Sequence, residues 1–200
     1  MIGQNTVCGV VLAGGMGRRM QHLDKGLMLF NNRPLVSYAI NALQPLVGEL
    51  LISANRNRDQ YSRFGHPVID DASDRFDGPL AGILSALRAT DADVLMVVPC
   101  DSPMIQTRHL SRLLAAVDEA SCIAVAFDGE RLHPVVMAFK SYLRDDLQQY
   151  LATGQRKLQL WLERHPFIQV DFSAEPEIFV NLNTLADLAE LENRPMDKSL

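Results

Sequence analysis

A glycine-rich, basic segment directly follows the first apolar run of the chain, Val7–Ala13. The segment Gly14–Met20 reads GGMGRRM, and Asp24–Gly26 follows it closely. Glycines allow backbone N–H groups to approach phosphate oxygens closely. Three cations and one anion lie between Arg18 and Lys25, so the local charge is positive. The segment therefore predicts a site for a phosphate-bearing ligand, with a surface turn of solvated basic side chains as the alternative.

Acidic residues stand at the ends of two further apolar runs. Val94–Pro99 leads through Cys100 into Asp101, and Pro67–Asp70 leads into Asp71. Magnesium prefers oxygen ligands and keeps several waters, so one or two carboxylates together with ligand phosphates can hold it. Asp101 is therefore a candidate metal ligand. The alternatives are an aspartate that caps the next turn and, at Asp71, a solvated acidic turn.

Three polar segments later in the chain are also candidates for ligand binding. Gly78–Gly82 opens a predicted helix, where exposed N–H groups suit a polar or anionic ligand. Gly154–Lys157 places two cations after a glycine, and Asn181–Thr184 combines two amides with a hydroxyl. Each segment also has a structural explanation: a proline-led helix start, a solvated loop and a cap of the last helix. His133, next to Pro134, is expected to be a packed loop residue rather than a catalytic base.

Strands and helices are expected to alternate through the first half of the chain. Apolar runs predict strands, and apolar residues spaced i, i+3, i+4, i+7 predict helices. The expected strands are Val7–Ala13, Leu50–Ala54, Pro67–Asp70 and Val94–Pro99, and the expected helices begin near Pro34, Pro79 and Leu110. This alternation is typical of βαβ units, so we expect an α/β fold with a mostly parallel sheet and helices on both faces. In such open sheets, ligands bind beyond the carboxyl ends of the strands.

The pattern changes near residue 121. Cys122–Phe127 and Val135–Phe139 are apolar runs joined by a short polar link with a glycine, which favours antiparallel pairing. The remaining expected elements are helices at Tyr142–Leu151 and Lys157–Arg164, strands at Phe167–Asp171 and Ile178–Asn181, and a closing helix from Leu185 to Glu192. The sequence shows neither a linker nor a repeat. We therefore expect one domain over residues 1–192 with an antiparallel section in its second half, and a frayed tail at 193–200.

Composition limits the partners and the compartment. The 200 residues carry a net charge of −5, which disfavours broad binding to nucleic acid or to an anionic membrane. Cys8, Cys100 and Cys122 form no CxxC pair, so we expect free thiols rather than a zinc site or disulfides. No run approaches the roughly 18 apolar residues of a membrane span, and the start lacks a basic targeting region. These features predict a cytoplasmic protein.

Taken together and in order, these elements resemble the molybdenum cofactor guanylyltransferase family, which belongs to the nucleotidyltransferases of the sugar-nucleotide type. The resemblance runs from about residue 8 to residue 192 and rests on an ordered set of motifs rather than on the glycine loop alone. Those motifs are LAGG at 12–15, RM at 19–20, DKG at 24–26, SANR at 53–56, IDD at 69–71, GPLAG at 78–82, PCDSP at 99–103, DGER at 128–131 with HP at 133–134, GQRK at 154–157 and VNLNT at 180–184.

The resemblance implies a Rossmann-like mixed sheet and the transfer of GMP from GTP to molybdenum-loaded molybdopterin, with Mg²⁺ as cofactor. Molybdoenzyme apoproteins and other proteins of cofactor synthesis are implied as further partners. Carried over position by position, the nucleotide-binding residues are Leu12, Ala13, Gly14, Gly15, Lys25, Ser53, Asn55, Asp71, Gly78 and Asp101. The implied catalytic residues are Lys25, Arg19 and Asp101, with Asp101 also the metal ligand, and the implied molybdopterin-side residues are Arg156, Asn181 and Asn183.

Two places depart from the family pattern. Gln21 and His22 stand where the family usually has glycine after Arg19-Met20, which leaves the contacts of that loop open. Ser53 stands where the family often has asparagine, and Asn55 lies two residues further on. Because strand side chains alternate with a period of two, Ser53 and Asn55 face the same way, and either can contact the nucleotide.

Two alternative functions stay open at this stage. A cytidylyltransferase for the same cofactor, or another sugar-phosphate-type nucleotidyltransferase, would have the same fold; family members that use CTP tend to differ at Gly14. A non-catalytic carrier would bind molybdopterin without releasing pyrophosphate. The presence of both Lys25 and Asp101 favours an enzyme over a carrier.

Overall fold

The structure is a computed structural model, and it describes residues 6–13, 24–70, 78–182 and 187. Within these residues the chain forms a seven-stranded sheet, a two-stranded hairpin and six α-helices. The strands are β1 (Val7–Leu12), β2 (Leu29–Phe30), β3 (Arg33–Pro34), β4 (Glu49–Ser53), β5 (Val68–Ile69), β6 (Val94–Pro99), β7 (Ile123–Phe127), β8 (Leu132–Lys140) and β9 (Phe167–Asp171). The helices are α1 (Leu35–Leu43), α2 (Arg58–Ser62), α3 (Pro79–Ala89), α4 (Thr107–Ala116), α5 (Arg144–Ala152) and α6 (Leu158–Leu162).

The large sheet has the strand order β5-β4-β1-β6-β8-β7-β9. Strand β1 runs parallel to β4 and β6, and β9 runs parallel to β7. Only β8 runs against its neighbours β6 and β7 among the strands that the structure describes in this sheet. The expected mixed, mostly parallel sheet with an antiparallel section in its second half is therefore confirmed.

Both faces of the sheet are covered by helices, as expected. In β1, Val7 and Val11 belong to the apolar cluster that includes α1 and α4. The alternate residues Cys8 and Val10 belong to the cluster that includes α3, α5 and α6. A strand that buries both faces must be apolar at every position, which explains why β1 lacks the polar alternation of a half-exposed strand.

The carboxyl ends of three parallel strands meet at one edge of the sheet. Leu12, the last residue of β1, pairs with Ser53 at the end of β4 and with Pro99 at the end of β6. The backbone N–H of Ala13 donates to the Ser53 carbonyl at 2.8 Å, and the N–H of Cys100 donates to the Leu12 carbonyl at 3.1 Å. We call this boundary the carboxyl edge.

The predicted strand at Ile178–Asn181 is wrong. The chain instead forms a 3₁₀ turn at Pro176–Phe179, in which the N–H of Ile178 donates to the Glu175 carbonyl. Ile178 and Phe179 are adjacent and both buried, whereas a strand would direct them to opposite faces. The short apolar run is compatible with a strand, but Ile178 and Phe179 both pack in the same apolar cluster, and the 3₁₀ turn allows this.

The apolar pattern did not indicate the hairpin of β2 and β3. This hairpin turns through Asn31 and Asn32, whose φ angles of 47° and 60° suit a two-residue type I′ turn.

The predicted closing helix from Leu185 to Glu192 lies outside the described residues apart from Asp187, and so does the tail at 193–200. None of the helices in the described part of the chain is long and apolar enough to cross a membrane.

A buried histidine closes the first turn of α4. The Nδ1 atom of His109 accepts a hydrogen bond from the backbone N–H of Gln106 at 3.0 Å, and its Nε2 lies 3.4 Å from the Glu175 carboxylate. Burial, helped by the nearby Arg108 guanidinium, lowers the pKa of His109 below its ordinary value of 6.5. The neutral ring is therefore the form that fits the cap.

We expect the free energy of unfolding to fall as the pH falls below about 6.5, because the unfolded chain then binds a proton that folded His109 resists. This contribution is complete above the unfolded pKa and is lost as the pH approaches the lower folded pKa. The variant His109→Gln keeps a capping side chain that does not titrate. Urea unfolding at about pH 5.5 and about pH 7.5 should show a smaller pH dependence in the variant than in the wild type. Equal pH dependence in the two proteins would contradict this role.

Candidate active site

The residue Lys25 is presented by a short 3₁₀ turn, Lys25–Leu27, that Asp24 caps. The Asp24 carboxylate accepts hydrogen bonds from the backbone N–H of Gly26 at 3.3 Å and from the Asn57 side-chain amide at 2.9 Å. The Tyr61 hydroxyl also donates to Asp24. These three hydrogen bonds to the Asp24 carboxylate fix the backbone of the turn that carries Lys25.

The Tyr61 side chain is completely buried beneath this turn. Burial, with the neighbouring Cys100 and the hydrogen bond to Asp24, raises the pKa of Tyr61, so its hydroxyl remains a donor. Gly26 lies directly against that hydroxyl, and a Cβ atom at this position would collide with the Tyr61 oxygen. Glycine is required here because of this close approach, since any side chain would displace either the tyrosine or the turn.

Lys25 and Asp101 form an ion pair at the carboxyl edge. The Lys25 Nζ lies 3.4 Å from Asp101 Oδ2, and their side chains are 25% and 18% exposed. Lys25 comes from the segment after β1 and Asp101 from the turn after β6, so the parallel pairing of these strands brings them together. Because both side chains remain accessible, a polyanionic ligand can reach the ammonium group and a cation can reach the carboxylate.

The turn after β6 also holds the segment that carries Asn181. The Ser102 hydroxyl, whose residue is 3% exposed, donates to Asn181 Oδ1 at 2.7 Å. The backbone N–H of Leu182 donates to the Asp101 carbonyl at 3.0 Å. The structure therefore places the predicted residue Asn181 beside the predicted residue Asp101, although they are far apart in the sequence.

Other predicted residues lie along the same edge. Leu12 and Ala13 are at the end of β1, and Ser53 ends β4. Ser53 is 2% exposed, whereas Asn55 is half-buried and so is the more accessible of the two. Gly78 is exposed at the N-terminus of α3, with a φ of 72° that favours glycine.

Of the remaining predicted residues, the structure describes Arg156. Arg156 lies in the turn between α5 and α6, where its guanidinium donates to the carbonyls of Leu151 and Gln155, both at 2.7 Å. These two hydrogen bonds hold the guanidinium against the backbone of that turn. Five predicted residues, Gly14, Gly15, Arg19, Asp71 and Asn183, lie outside the described part of the chain.

Three supporting residues were not identified from the sequence. Tyr61 and Asn57 hold Asp24, and Ser102 holds Asn181. Ser102 lies within the PCDSP motif, so its position beside Asp101 was a usable signal. Tyr61 had none, because its partner is 37 residues away and only the packing of α2 against the turn joins them.

The chemistry available at this edge is electrostatic. Burial and the nearby Asp101 charge raise the pKa of the Cys100 thiol, so Cys100 is not a thiolate nucleophile at neutral pH. Within the described residues, no group of three or more His, Cys, Asp or Glu side chains could hold a metal ion. A cation bound by Asp101 would therefore need further oxygen ligands, which the phosphates of a bound nucleotide can supply.

We expect Gly26→Ala to lower the free energy of unfolding by about 1–3 kcal/mol, because the added methyl group would meet the Tyr61 hydroxyl. Removing that oxygen with Tyr61→Phe should reduce the penalty. Urea unfolding of the wild type, both single variants and the double variant measures this coupling. Equal penalties for Gly26→Ala with and without the hydroxyl would contradict the proposed close contact.

The sequence of this chain is similar to those of curated enzymes over most of its length. Residues 9–169 match the MobA-like NTP transferase domain. The chain is 47% identical over 176 residues to the molybdenum cofactor guanylyltransferase of Shewanella halifaxensis, which covers 88% of each chain. It is 46% identical over 176 residues to the enzyme of the same name from Shewanella loihica, covering 88% of this chain and 90% of that one.

The fold is similar to solved structures at lower identity. Molybdopterin-guanine dinucleotide biosynthesis protein A from Archaeoglobus fulgidus has a TM-score of 0.72 at 22% identity, covering 92% of this chain and 96% of that chain. The 4-diphosphocytidyl-2C-methyl-D-erythritol synthase from Anaerococcus prevotii has a TM-score of 0.75 at 9% identity, covering 94% and 95%. These two likenesses confirm the expected Rossmann-like fold. Because the domain match and the curated relatives each cover most of the sequence, the chain belongs to the MobA-like NTP transferase family.

Proposed function

We propose that this chain transfers GMP from GTP to the phosphate of molybdenum-loaded molybdopterin, which gives the guanine dinucleotide cofactor and pyrophosphate. The observation that carries the proposal is the accessible Lys25–Asp101 pair at the carboxyl edge, with Nζ and Oδ2 3.4 Å apart. The reaction needs a cation for the triphosphate and a carboxylate for a metal ion, and this pair supplies both. The curated relatives named molybdenum cofactor guanylyltransferase support the choice of substrates.

The proposed reaction needs no strong base from the protein. The nucleophile is a phosphate oxygen of molybdopterin, which is largely ionised at neutral pH. It attacks the α-phosphorus of GTP, a new P–O bond forms, and the bond to the β-phosphate breaks to release pyrophosphate. Because the attacking and attacked groups are both anionic, catalysis consists of positioning and of neutralising charge.

The roles of Lys25 and Asp101 follow from this requirement. The Lys25 ammonium group binds phosphate oxygens and stabilises the charge that develops on the pyrophosphate leaving group. Asp101 would hold Mg²⁺ together with the nucleotide phosphates, and its partly exposed carboxylate fits a hard cation. When bound, Mg²⁺ neutralises phosphate charge. Arg19 is proposed as a second cation for the phosphates.

The two substrates are proposed to lie side by side along the carboxyl edge. The nucleotide side comprises Leu12, Ala13, Gly14, Gly15, Ser53 or Asn55, Asp71 and Gly78. The molybdopterin side comprises Arg156, Asn181 and Asn183. The hydrogen bond from Ser102 to Asn181 supports this arrangement, because it joins the molybdopterin side to the turn that carries Asp101.

The cellular setting is also part of the proposal. We infer that residues 1–192 act as one nucleotidyltransferase domain in the cytoplasm. The three buried free thiols, Cys8, Cys100 and Cys122, support a reducing compartment. Molybdoenzyme apoproteins that accept the product, and other proteins of cofactor synthesis, are the proposed protein partners.

The nucleotide specificity can be tested directly. With Mg²⁺ and molybdenum-loaded molybdopterin, we expect pyrophosphate release from GTP and much less from CTP. Release with CTP alone would keep the mechanism and make the chain a cytidylyltransferase. If the protein binds molybdopterin but releases no pyrophosphate with either nucleotide, it is a carrier and the proposed reaction is wrong.

Removal of either member of the pair should impair the chemical step. We expect Asp101→Ala and Lys25→Ala each to lower kcat for GMP transfer by at least about 100-fold while the protein remains folded. Asp93→Ala is the matched control, because Asp93 precedes β6 at its amino end whereas Asp101 follows the carboxyl end of the same strand. Circular dichroism checks folding, and the rate of pyrophosphate release gives kcat. Normal turnover by folded Asp101→Ala would exclude the proposed metal ligand.

A further inference from the structure

The pairing of β7 with β8 contains a shift of register at the carboxyl edge. Val125 pairs with Met137, but the next residue, Ala126, pairs with His133. One step along β7 therefore corresponds to four residues of the antiparallel strand β8. Pro134, which has no N–H to donate, lies within this bulge. Bulges re-aim side chains and are frequent beside active sites. Here the bulge sets the position of His133.

The His133 ring is held by a carboxylate from the same hairpin. Its Nε2–H donates to Asp128 Oδ2 at 2.6 Å. The other oxygen of Asp128 accepts the backbone N–H groups of Glu130 at 2.9 Å and Arg131 at 2.8 Å. The hydrogen bonds from Arg131 and His133 hold the pKa of Asp128 well below its usual range, so this carboxylate stays charged. The turn and the ring orientation are therefore fixed together.

The face of the His133 ring stacks on Phe179. The ring centroids are 3.9 Å apart with an interplanar angle of 10°, and the residues are only 9% and 5% exposed. Phe172 packs its edge against Phe179 at 5.8 Å, which confines the phenyl ring from a second side. Phe179 is the last residue of the turn at Pro176–Phe179, so the stack fixes the end of that turn.

The segment that leaves this turn enters the candidate active site within three residues. Asn181 accepts the Ser102 hydroxyl at 2.7 Å, and the Leu182 N–H donates to the Asp101 carbonyl at 3.0 Å. The segment is therefore anchored at its start by the stack on His133 and at its end by the turn after β6. A shift of Phe179 would move Asn181, because only Val180 separates them in the chain.

We propose that His133, oriented by Asp128, is a positioning residue that acts through Phe179 to place Asn181 for the anionic pterin phosphate substrate. The inference rests on the proposed function, since it uses the molybdopterin-side role of Asn181. His133 contacts Asp128 and Phe179, and Phe179 is joined to Asn181 through Val180 alone, which gives His133 a direct structural link to the site. Misplacement of a substrate-binding group by even a fraction of an ångström reduces productive binding.

The variant His133→Leu removes both the hydrogen bond to Asp128 and the ring stack. We expect the KM for molybdenum-loaded molybdopterin to rise by about tenfold, while the KM for GTP changes by less than about twofold. His133→Phe restores the stack alone and should recover part of the lost affinity. Initial rates of pyrophosphate release, with each substrate varied in turn, measure both constants.

The matched control is His165→Leu. His165 also contacts a carboxylate, with Nε2 3.0 Å from Asp146, and an aromatic ring, that of Trp161 at 5.2 Å. His165 lies just before the first residue of β9. The first residues of β9 and β7 pair with each other at the amino ends of these strands, opposite the carboxyl edge. Loss of stability alone would affect both variants, so we expect the selective rise in KM only for His133→Leu.

The variant Asn181→Ala tests the route of the effect. If His133 acts through Asn181, the double variant His133→Leu/Asn181→Ala should have the KM for molybdopterin of Asn181→Ala alone. Four results would overturn the inference but not the proposed GMP transfer. In the double variant, the increases in KM for molybdopterin could multiply; in His133→Leu, the two KM values could change equally. His165→Leu could show the same selective rise in KM for molybdopterin, or Asn181→Ala could leave that KM unchanged. Absence of pyrophosphate release by the wild type would overturn the proposed function as well.

Discussion

The parallel pairing of β1 with both β4 and β6 is the constraint on which the candidate site depends. It sets Leu12 between Ser53 and Pro99, so that three chain segments leave the sheet at one edge. Backbone hydrogen bonds just beyond these strand ends continue the alignment into the loops. Because β1 is buried on both faces, a slip of register would break the ladder and misplace both apolar cores at once. The register of the sheet therefore fixes where the turn that carries Asp101 leaves it.

A local anchor at Asp24 places Lys25 opposite Asp101. Asp24 gathers hydrogen bonds from Gly26, Asn57 and buried Tyr61, which fixes the turn that presents Lys25. Lys25 can then face Asp101 while a quarter of its side chain remains exposed. The pair is only partly exposed, and the cost of removing two charges from water offsets much of their attraction, so it is weak evidence for stability. Its value lies in holding opposite charges where a polyanion and a cation can reach them.

The reversed direction of β8 gives the second half of the chain access to the same edge. An antiparallel neighbour of β6 begins where β6 ends, so the hairpin with Asp128 and His133 lies at the carboxyl edge. The turn after β9 returns there too, and His133 stacks on Phe179 within it. A fully parallel sheet would have placed the start of β8 at the opposite edge. The mixed topology thus brings segments from both halves of the chain to the carboxyl edge.

The sequence by itself determined the α/β class, the main strands and the residue types at the strand ends, because burial on both faces demands continuous apolar runs and these are visible locally. It also indicated Lys25, Asp101 and Asn181 as site residues. It misassigned Ile178–Asn181, since a short apolar run has no periodicity that separates a strand from a turn. Only the tertiary structure decided the contacts of Tyr61 with Asp24, Lys25 with Asp101 and Ser102 with Asn181, which span 37, 76 and 79 residues. The physical reason is that such contacts depend on strand order and register, and these are properties of the packed sheet rather than of any local segment.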